Sequence, residues 1–280
     1  MPKWNGQNPI EKARPGCFLL ARSPAVNLNA AQKIAVQAAR AAGKVMRDNW
    51  RKPKRVNAAE AHDIKLELDV RCQRLIEKIL RKAFPGIPVL GEEGVSGDVS
   101  AEYRWVVDPI DGTVNYFYGL PHAAVSIALQ HRERSVVGVI YDPFTDELWT
   151  TTKGKPTRLN GKVVCVSNRS KLEEAVIAMG FSKNKETLEI SLPHLIRLSP
   201  RVRKIRVLGS AALELAYIAC GRLDAYVERT LNLWDVAAGQ LLVENGGGEF
   251  YSVPAPGGKL RMCADNGKLR KKLKLGTFFS

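Results

Sequence analysis

The sequence predicts a layered α/β fold of the α+β type. Three observations carry this: two amphipathic helical stretches, a run of short apolar strands after them, and an alternation of strand and helix beyond about Ser167. An amphipathic helix must bury one face, and a sheet is the partner this order provides. The alternating half then supplies helices for the sheet's other face.

Residues 1–28 lack apolar periodicity and carry Pro2, Pro9, Pro15 and Pro24, which predicts a basic, disordered or loosely docked extension. From about Asn29 to Trp50, Ile34, Ala35, Ala38, Ala42, Val45 and Met46 recur at helical spacing among strong helix formers, and Arg51-Lys52-Pro53 ends the run. A second helix is expected over 64–83, with Leu68, Cys72, Leu75, Ile76, Ile79 and Leu80 on its apolar face and Phe84-Pro85-Gly86 as its stop. Strands follow over 88–90 and 104–107, then a meander over 124–129, 136–141 and 147–152. Asn160-Gly161 between short apolar flanks is a two-residue hairpin signal. The second half reads as strand 175–179, helix 185–198, strand 204–208, a helix capped by Ser210 and reaching Cys220-Gly221, strand 224–227, helix 234–244 and strand 249–253. The expected organisation is therefore an extension over 1–28, an N-terminal α+β subdomain over 29–167 that binds metal, and a C-terminal α/β subdomain over 168–280.

Composition narrows the classes. With 45% hydrophobic and 25% charged residues the chain has the make-up of a soluble globular protein. No apolar stretch approaches the roughly 20 residues needed to span a bilayer. Cys17, Cys72, Cys165, Cys220 and Cys263 are scattered without a C-x-x-C pair, so reduced buried thiols in a cytoplasmic protein are expected. His62, His122, His131 and His194 form no metal-binding pattern and are expected on the surface or satisfied by polar neighbours. The formal net charge of +15 arises from blocks at 51–55, 197–206 and 268–274. Such a surplus attracts anions, either nucleic acid or small phosphorylated metabolites, and it does not choose between them.

Three acidic elements carry the chemistry: Gly91-Glu92-Glu93-Gly94, Asp108-Pro109-Ile110-Asp111-Gly112-Thr113, and Trp234-Asp235-Val236-Ala237-Ala238-Gly239. A Glu pair is usually a solvated loop, and Asp235 could simply complement a helix N-terminus. The second element is harder to dismiss. Asp108 ends a strand that Trp105-Val106-Val107 should bury, and a tight turn can bring Asp111 and the Ile110 carbonyl toward the same ion. Gly112 admits a ligand to the main chain, and Thr113 opens a helical turn whose unpaired N–H groups suit phosphate. Hard oxygen donors favour Mg²⁺ over zinc. Carboxylates facing a phosphate would repel it by about 4 kcal/mol per pair of charges at 4 Å in an effective dielectric of 20, so cations must stand between them.

These motifs resemble those of the inositol monophosphatase family, within the lithium-sensitive, magnesium-dependent phosphatase superfamily that also holds the fructose-bisphosphatases. The likeness extends from Trp105 through Tyr116, over Trp234 to Gly239, and to Gly91-Glu92-Glu93, Gly209-Ser210-Ala211-Ala212 and Glu228. It implies a layered αβαβα sandwich and two or three Mg²⁺ ions. Glu92, Asp108 and Asp111 would ligate metal, Asp235 would join Asp111 on a second ion, and the Ile110 carbonyl would be a further ligand. Thr113 and Glu92 would orient the attacking water, and Asp69 would act through Thr113. The Gly112 and Thr113 amides would hold phosphate, while Gly209, Ser210, Ala211 and Glu228 would face substrate hydroxyls; a plain surface position on a strand is the other reading of Glu228. The family's Asp-x-Val-Thr pattern is altered here to Asp63-Ile64-Lys65-Leu66, which removes a threonine hydroxyl and leaves a third metal open.

The resemblance implies hydrolysis of a small phosphate monoester by metal-activated water, with inositol 1-phosphate as the default substrate. Relatives of this kind act on histidinol phosphate, fructose 1,6-bisphosphate or nucleotide 3′-phosphates, and a homodimer is the usual assembly. The alternative from another class is an RNA- or transcription-associated binding protein, since some bacterial relatives combine phosphatase activity with a role in ribosomal RNA antitermination. The basic blocks lack interleaved aromatics and are expected to be mostly solvated.

Overall fold

A computed structural model describes residues 26–54, 56–60, 63–181 and 185–279. Most of the expected 1–28 extension, with Cys17, and also Arg55 and His62, lies outside the described residues. Helix α1 (Leu28–Asn49) is capped by the Asn27 side chain, which accepts from the Ala30 amide. Its alanine stripe, Ala31, Ala35, Ala38, Ala39 and Ala42, is fully buried. A β-hairpin follows, β1 (Val56–Glu60) against β2 (Asp63–Leu66), and only then α2 (Glu67–Ala83). The expected helical start at 64 is thus corrected to 67. Leu66 is extended, and Asp69, third in the helix, accepts the Leu66 amide at 2.7 Å; this cap sets where the helix begins.

The first sheet contains β3 (Val89–Gly91), β4 (Gly94–Ser96), β5 (Tyr103–Asp111), β6 (Ala124–His131), β7 (Arg134–Asp142), β8 (Glu147–Thr152), β9 (Arg158–Leu159) and β10 (Lys162–Val163), with the short helix α3 (Thr113–Tyr118) after β5. Its order is β10-β9-β8-β7-β6-β5-β3-β4, antiparallel apart from the parallel pair β3 and β5. Side chains alternate between two cores. Trp105, Val107, Ile127 and Val139 meet α1 and α2, whereas Val106, Ala128 and Ile140 face the opposite layer.

The second half adds β11 (Val176–Met179), α4 (Lys185–Leu198), β12 (Lys204–Arg206), α5 (Ala211–Ala219), β13 (Ala225–Leu231), α6 (Leu233–Asn245), β14 (Glu249–Pro254) and β15 (Leu260–Asp265). The five strands order as β12-β11-β13-β15-β14, parallel up to β13 and antiparallel beyond. Helices α5 and α6 fill the space between the sheets, and α4 packs outside the second sheet with Leu269, Leu273 and Phe278. The molecule is therefore the expected αβαβα sandwich. The middle layer is tight: a Cβ on Gly239 would sit 2.5 Å from Leu215, and one on Gly138 2.8 Å from the Ala238 carbonyl. Among the described residues no helix is long and apolar enough to cross a membrane.

The expectation of buried thiols holds for Cys72 and Cys263, whereas Cys165 is exposed because the segment after β10 runs over the surface. The basic blocks are mostly exposed, but Lys54 is engaged: its ammonium donates to the Trp50 carbonyl and lies over the Trp50 and Tyr116 rings.

Candidate active site

Every site residue expected from the sequence except Asp69 lines one cleft of ≈ 290 Å³. Each reaches it by a different local device. At the end of β5 the ladder with β6 breaks between Asp108 and Asp111. The Ile110 amide turns back to donate to the Asp108 carboxylate at 3.0 Å, a local Asx turn across Pro109. Gly112 then adopts φ +90°, where a Cβ would stand 2.9 Å from the His122 carbonyl and 3.2 Å from that of Gly209. Only glycine fits both the conformation and the space. Thr113 begins α3, and its hydroxyl donates to the Ile110 carbonyl at 2.8 Å, with an Asp69 oxygen at 3.4 Å.

Glu92 follows β3, its amide bonded to the Val107 carbonyl. The turn is gripped from α2 by Gln73, which accepts from the Glu93 amide and donates to the Gly94 carbonyl. Asp235 is the third residue of α6 and accepts the Asn232 amide at 2.6 Å. Asp111 accepts from the Ser210 hydroxyl and, at 2.9 Å, from the Ala212 amide at the start of α5. Ser210 thus does two jobs at once, capping α5 at the Leu213 amide and tethering Asp111. Its hydroxyl is directed at Asp111, while Gly209 and Ala211 carry the backbone edge of the cleft.

The electrostatics follow from burial. Asp108 is 2% exposed and held well above the usual carboxylate range, by burial first and then by the charges of Glu92, Asp111, Asp235 and Asp69. Burial and the charge of Asp111 push Asp235 to about 8 against the help of the Asn232 amide. Burial raises Asp69 to about 7, and it raises Asp111 to about 6 against the Ser210 hydroxyl and the α5 amides. Carboxylates so crowded need protons or cations. Among the described residues no three Asp, Glu, His or Cys side chains close into a cage around one ion. The donor set nonetheless suits a hard divalent cation, because Glu92, Asp108, Asp111 and Asp235 line the same cleft as Ile110.

On the far side of the cleft lies a group the sequence did not reveal. Tyr226 lines it beside Glu228 and donates its hydroxyl to that carboxylate. Glu214, buried on α5, accepts the Leu208 amide at 3.2 Å. Asn115 was legible only as part of a motif; here its amide group binds the Leu208 and Gly209 carbonyls and so ties α3 to the substrate-side loop. None of the described histidines enters the cleft: His131 pairs with Glu102, His194 with Thr277, and His122 stands beside Tyr217.

The chain and its fold are similar to known proteins. A family model described as the inositol monophosphatase family matches residues 27–267. The chain is 39% identical over 223 residues to inositol monophosphatase 2 of Solanum lycopersicum, covering 77% of this chain and 84% of that protein. It is 39% identical over 243 residues to a protein of Xylella fastidiosa named Nus factor SuhB, covering 84% and 85%. Among solved structures, inositol monophosphatase from Anabaena superposes with a TM-score of 0.78 at 34% identity, covering 89% of this chain and 95% of that one. The extragenic suppressor protein suhB from Bartonella henselae superposes with a TM-score of 0.82, also at 34% identity, covering 89% and 98%.

Proposed function

The chain belongs to the inositol monophosphatase family of phosphatases, and from that premise we propose that it hydrolyses inositol 1-phosphate or a closely similar polyol monophosphate in the presence of Mg²⁺. The observation that supports this reading is the lining of one cleft: Glu92, Asp108, Asp111, Asp235 and the Ile110 carbonyl lie beside Gly112, Thr113 and the 209–211 edge. Two or three divalent cations would be held by those five residues, where they would offset the carboxylate charge, acidify an attacking water and stabilise the leaving alkoxide oxygen.

The residues around them have distinct tasks. The Gly112 and Thr113 amides hold the phosphate. Thr113, within reach of both the Ile110 carbonyl and Asp69, orients the water together with Glu92. The single Thr113 proton goes to the Ile110 carbonyl or to an ionised Asp69, and either bond leaves the threonine oxygen free to accept from that water. Gly209, Ala211 and Glu228 receive the substrate's hydroxyl groups, and Ser210 keeps Asp111 in place for this work. The proposal is confined to hydrolysis: the name Nus factor belongs to the relatives that bear it, and for a nucleic-acid role this chain offers charge alone.

The test is a panel of inositol 1-phosphate, histidinol phosphate, fructose 1,6-bisphosphate and a nucleoside 3′,5′-bisphosphate, each assayed with and without Mg²⁺. Phosphate release from inositol 1-phosphate should dominate and require the cation. Folded, Mg²⁺-loaded protein that releases no phosphate from any of the four would end the proposal, and preference for another member would reassign the substrate.

A further inference from the structure

We propose that a second pocket, formed where the end of α1, the start of α2 and the helix α3 meet, binds a small organic phosphate. The inference goes beyond the phosphatase reading and does not depend on it.

The pocket encloses ≈ 190 Å³ and shares no lining residue with the acidic cleft. Its place follows from the path of the chain. Arg51-Lys52-Pro53 turns the backbone away from the end of α1, and residues 66–71 return it as the extended cap and first turns of α2. Tyr116 reaches the same space from α3, fully buried, with its hydroxyl donating to the Met46 carbonyl at 2.8 Å. Pro53, Leu66 and Leu68 join it in an apolar wall. Lys52, Lys54 and Arg71 bring three cations to the lining, against the one carboxylate of Glu67.

Lys54 points most directly to an anion. It is half-buried, and its ammonium donates to the Trp50 carbonyl at 3.0 Å. It also stands 5.4 Å from the centre of the Trp50 ring and 5.3 Å from that of Tyr116. The two rings meet edge to face, so the lysine is held in one place. Aromatic faces attract an ammonium and strip part of its water, but they leave its charge uncompensated. Among the described residues no carboxylate forms a salt bridge with Lys52, Lys54 or Arg71. Asp48, near Lys52 in the chain, is taken by Lys44 at 2.6 Å. An ammonium has three N–H donors, so after the bond to Trp50 two of them remain for an anion. Lys52 and Arg71 are exposed and free to turn onto the same ligand. Arg71 also lines an adjoining groove with Arg74, which carries positive charge outward along α2 and draws anions in.

The lining also chooses the kind of anion. Three cations around one small space favour a dianion over a carboxylate, and a guanidinium matches phosphate oxygens in pairs. The apolar wall suits a short carbon skeleton. The volume is that of a small metabolite rather than a polymer.

The experiment titrates phenylphosphonate, whose carbon–phosphorus bond resists hydrolysis, into the full chain in chelator. Without cations the crowded carboxylates of the cleft repel a dianion, so binding reports the second pocket. The indole N–H signals of the tryptophans, followed by NMR, locate it. That of Trp50 should move with occupancy, while that of Trp234, beside Asp235, should stay still. A dissociation constant of about 1 mM or below is expected, weakening as salt is added. Lys54→Met and Arg71→Gln should each weaken binding by at least about tenfold. Arg71→Gln, at an exposed position, should melt within about 2 °C of wild type, which separates lost binding from lost folding. Inorganic phosphate should bind more weakly than the phosphonate, and benzyl alcohol not at all. No shift at Trp50, a shift at Trp234 alone, or binding that both variants leave intact would each overturn the inference. Equal affinity for inorganic phosphate would overturn it too, as the mark of a bare cationic patch. Phosphate release in Mg²⁺ tests the cleft and leaves this pocket untouched, so the two readings fail separately.

Discussion

Asp69 and Asp235 are held in the same way, and the likeness explains how a carboxylate can cap a helix and serve a site at once. Each is the third residue of its helix, and each gives one oxygen to the backbone amide three positions earlier. The other oxygen is then presented in a fixed direction: that of Asp69 lies toward Thr113, and Asp235 lines the cleft. An asparagine in place of Asp235 keeps the amide acceptor and loses the charge. Asp235→Asn and Asp108→Asn should therefore lower kcat by at least about 100-fold with Mg²⁺ present. Melting in chelator should be unchanged or raised, because a repelling charge is removed from a crowded site. Full activity in either variant would take that residue out of the metal set. At this scale the acidic residues could be read from the sequence, since the Asp108–Thr113 turn has few other uses. Glu214 and Tyr226 could not, because Ala211-Ala212-Leu213-Glu214-Leu215 reads as an ordinary helix and the phenol that binds Glu228 lies on a strand beyond it.

Elements bring these residues together through tight turns rather than through long strands. The Gly112 turn is the most constrained of them. Gly112→Ala would force a left-handed conformation on alanine and press its Cβ toward the His122 and Gly209 carbonyls. A loss of about 1–3 kcal/mol in unfolding free energy is expected from the strain alone, measurable in a urea titration. Activity should fall further, since the same turn aims Asp111 and Thr113; a variant as stable as wild type would show that the turn can relax. The strongly patterned elements were legible, including α1, the meander β6 to β8 and the Asn160-Gly161 turn. The hairpin β1–β2 was missed because its second strand runs straight into helix-forming sequence, so the two read as one helix. Strand β15 was missed because Leu260-Arg261-Met262-Cys263-Ala264-Asp265 has little β-propensity; its place between β13 and β14 gives it its form. Both losses have one cause, tertiary partners that a local pattern does not contain.

Over the whole molecule the acidic cleft sets how stability should respond to pH. The carboxyls of Asp111, Asp69 and Asp235 are raised to about 6, 7 and 8 in the folded protein, all above the usual value near 3.8. The folded state then binds more protons than the unfolded one between those limits, so stability must fall as pH rises through this range. In chelator, the melting temperature should decline from pH 6 to 8.5. Added Mg²⁺ should raise it more at pH 8 than at pH 6, because the cation replaces protons that are already leaving. A metal-free melting temperature that climbs over the same interval would contradict this account of the site.

The middle layer has a further consequence, in the order of synthesis. The sheet face that holds Val106, Ala124, Ala128, Ile140 and Trp149 is made well before α5 and α6, the helices that cover it. On the ribosome that face emerges without its cover, and its strands meet water, or any passing apolar surface, until residue 245 has been added. The same two helices bring Asp235 and the loop that secures Asp111. A nascent chain that has not yet hidden its stickiest surface is therefore also one that has not yet assembled its cleft, so protection from aggregation and competence for chemistry arrive together.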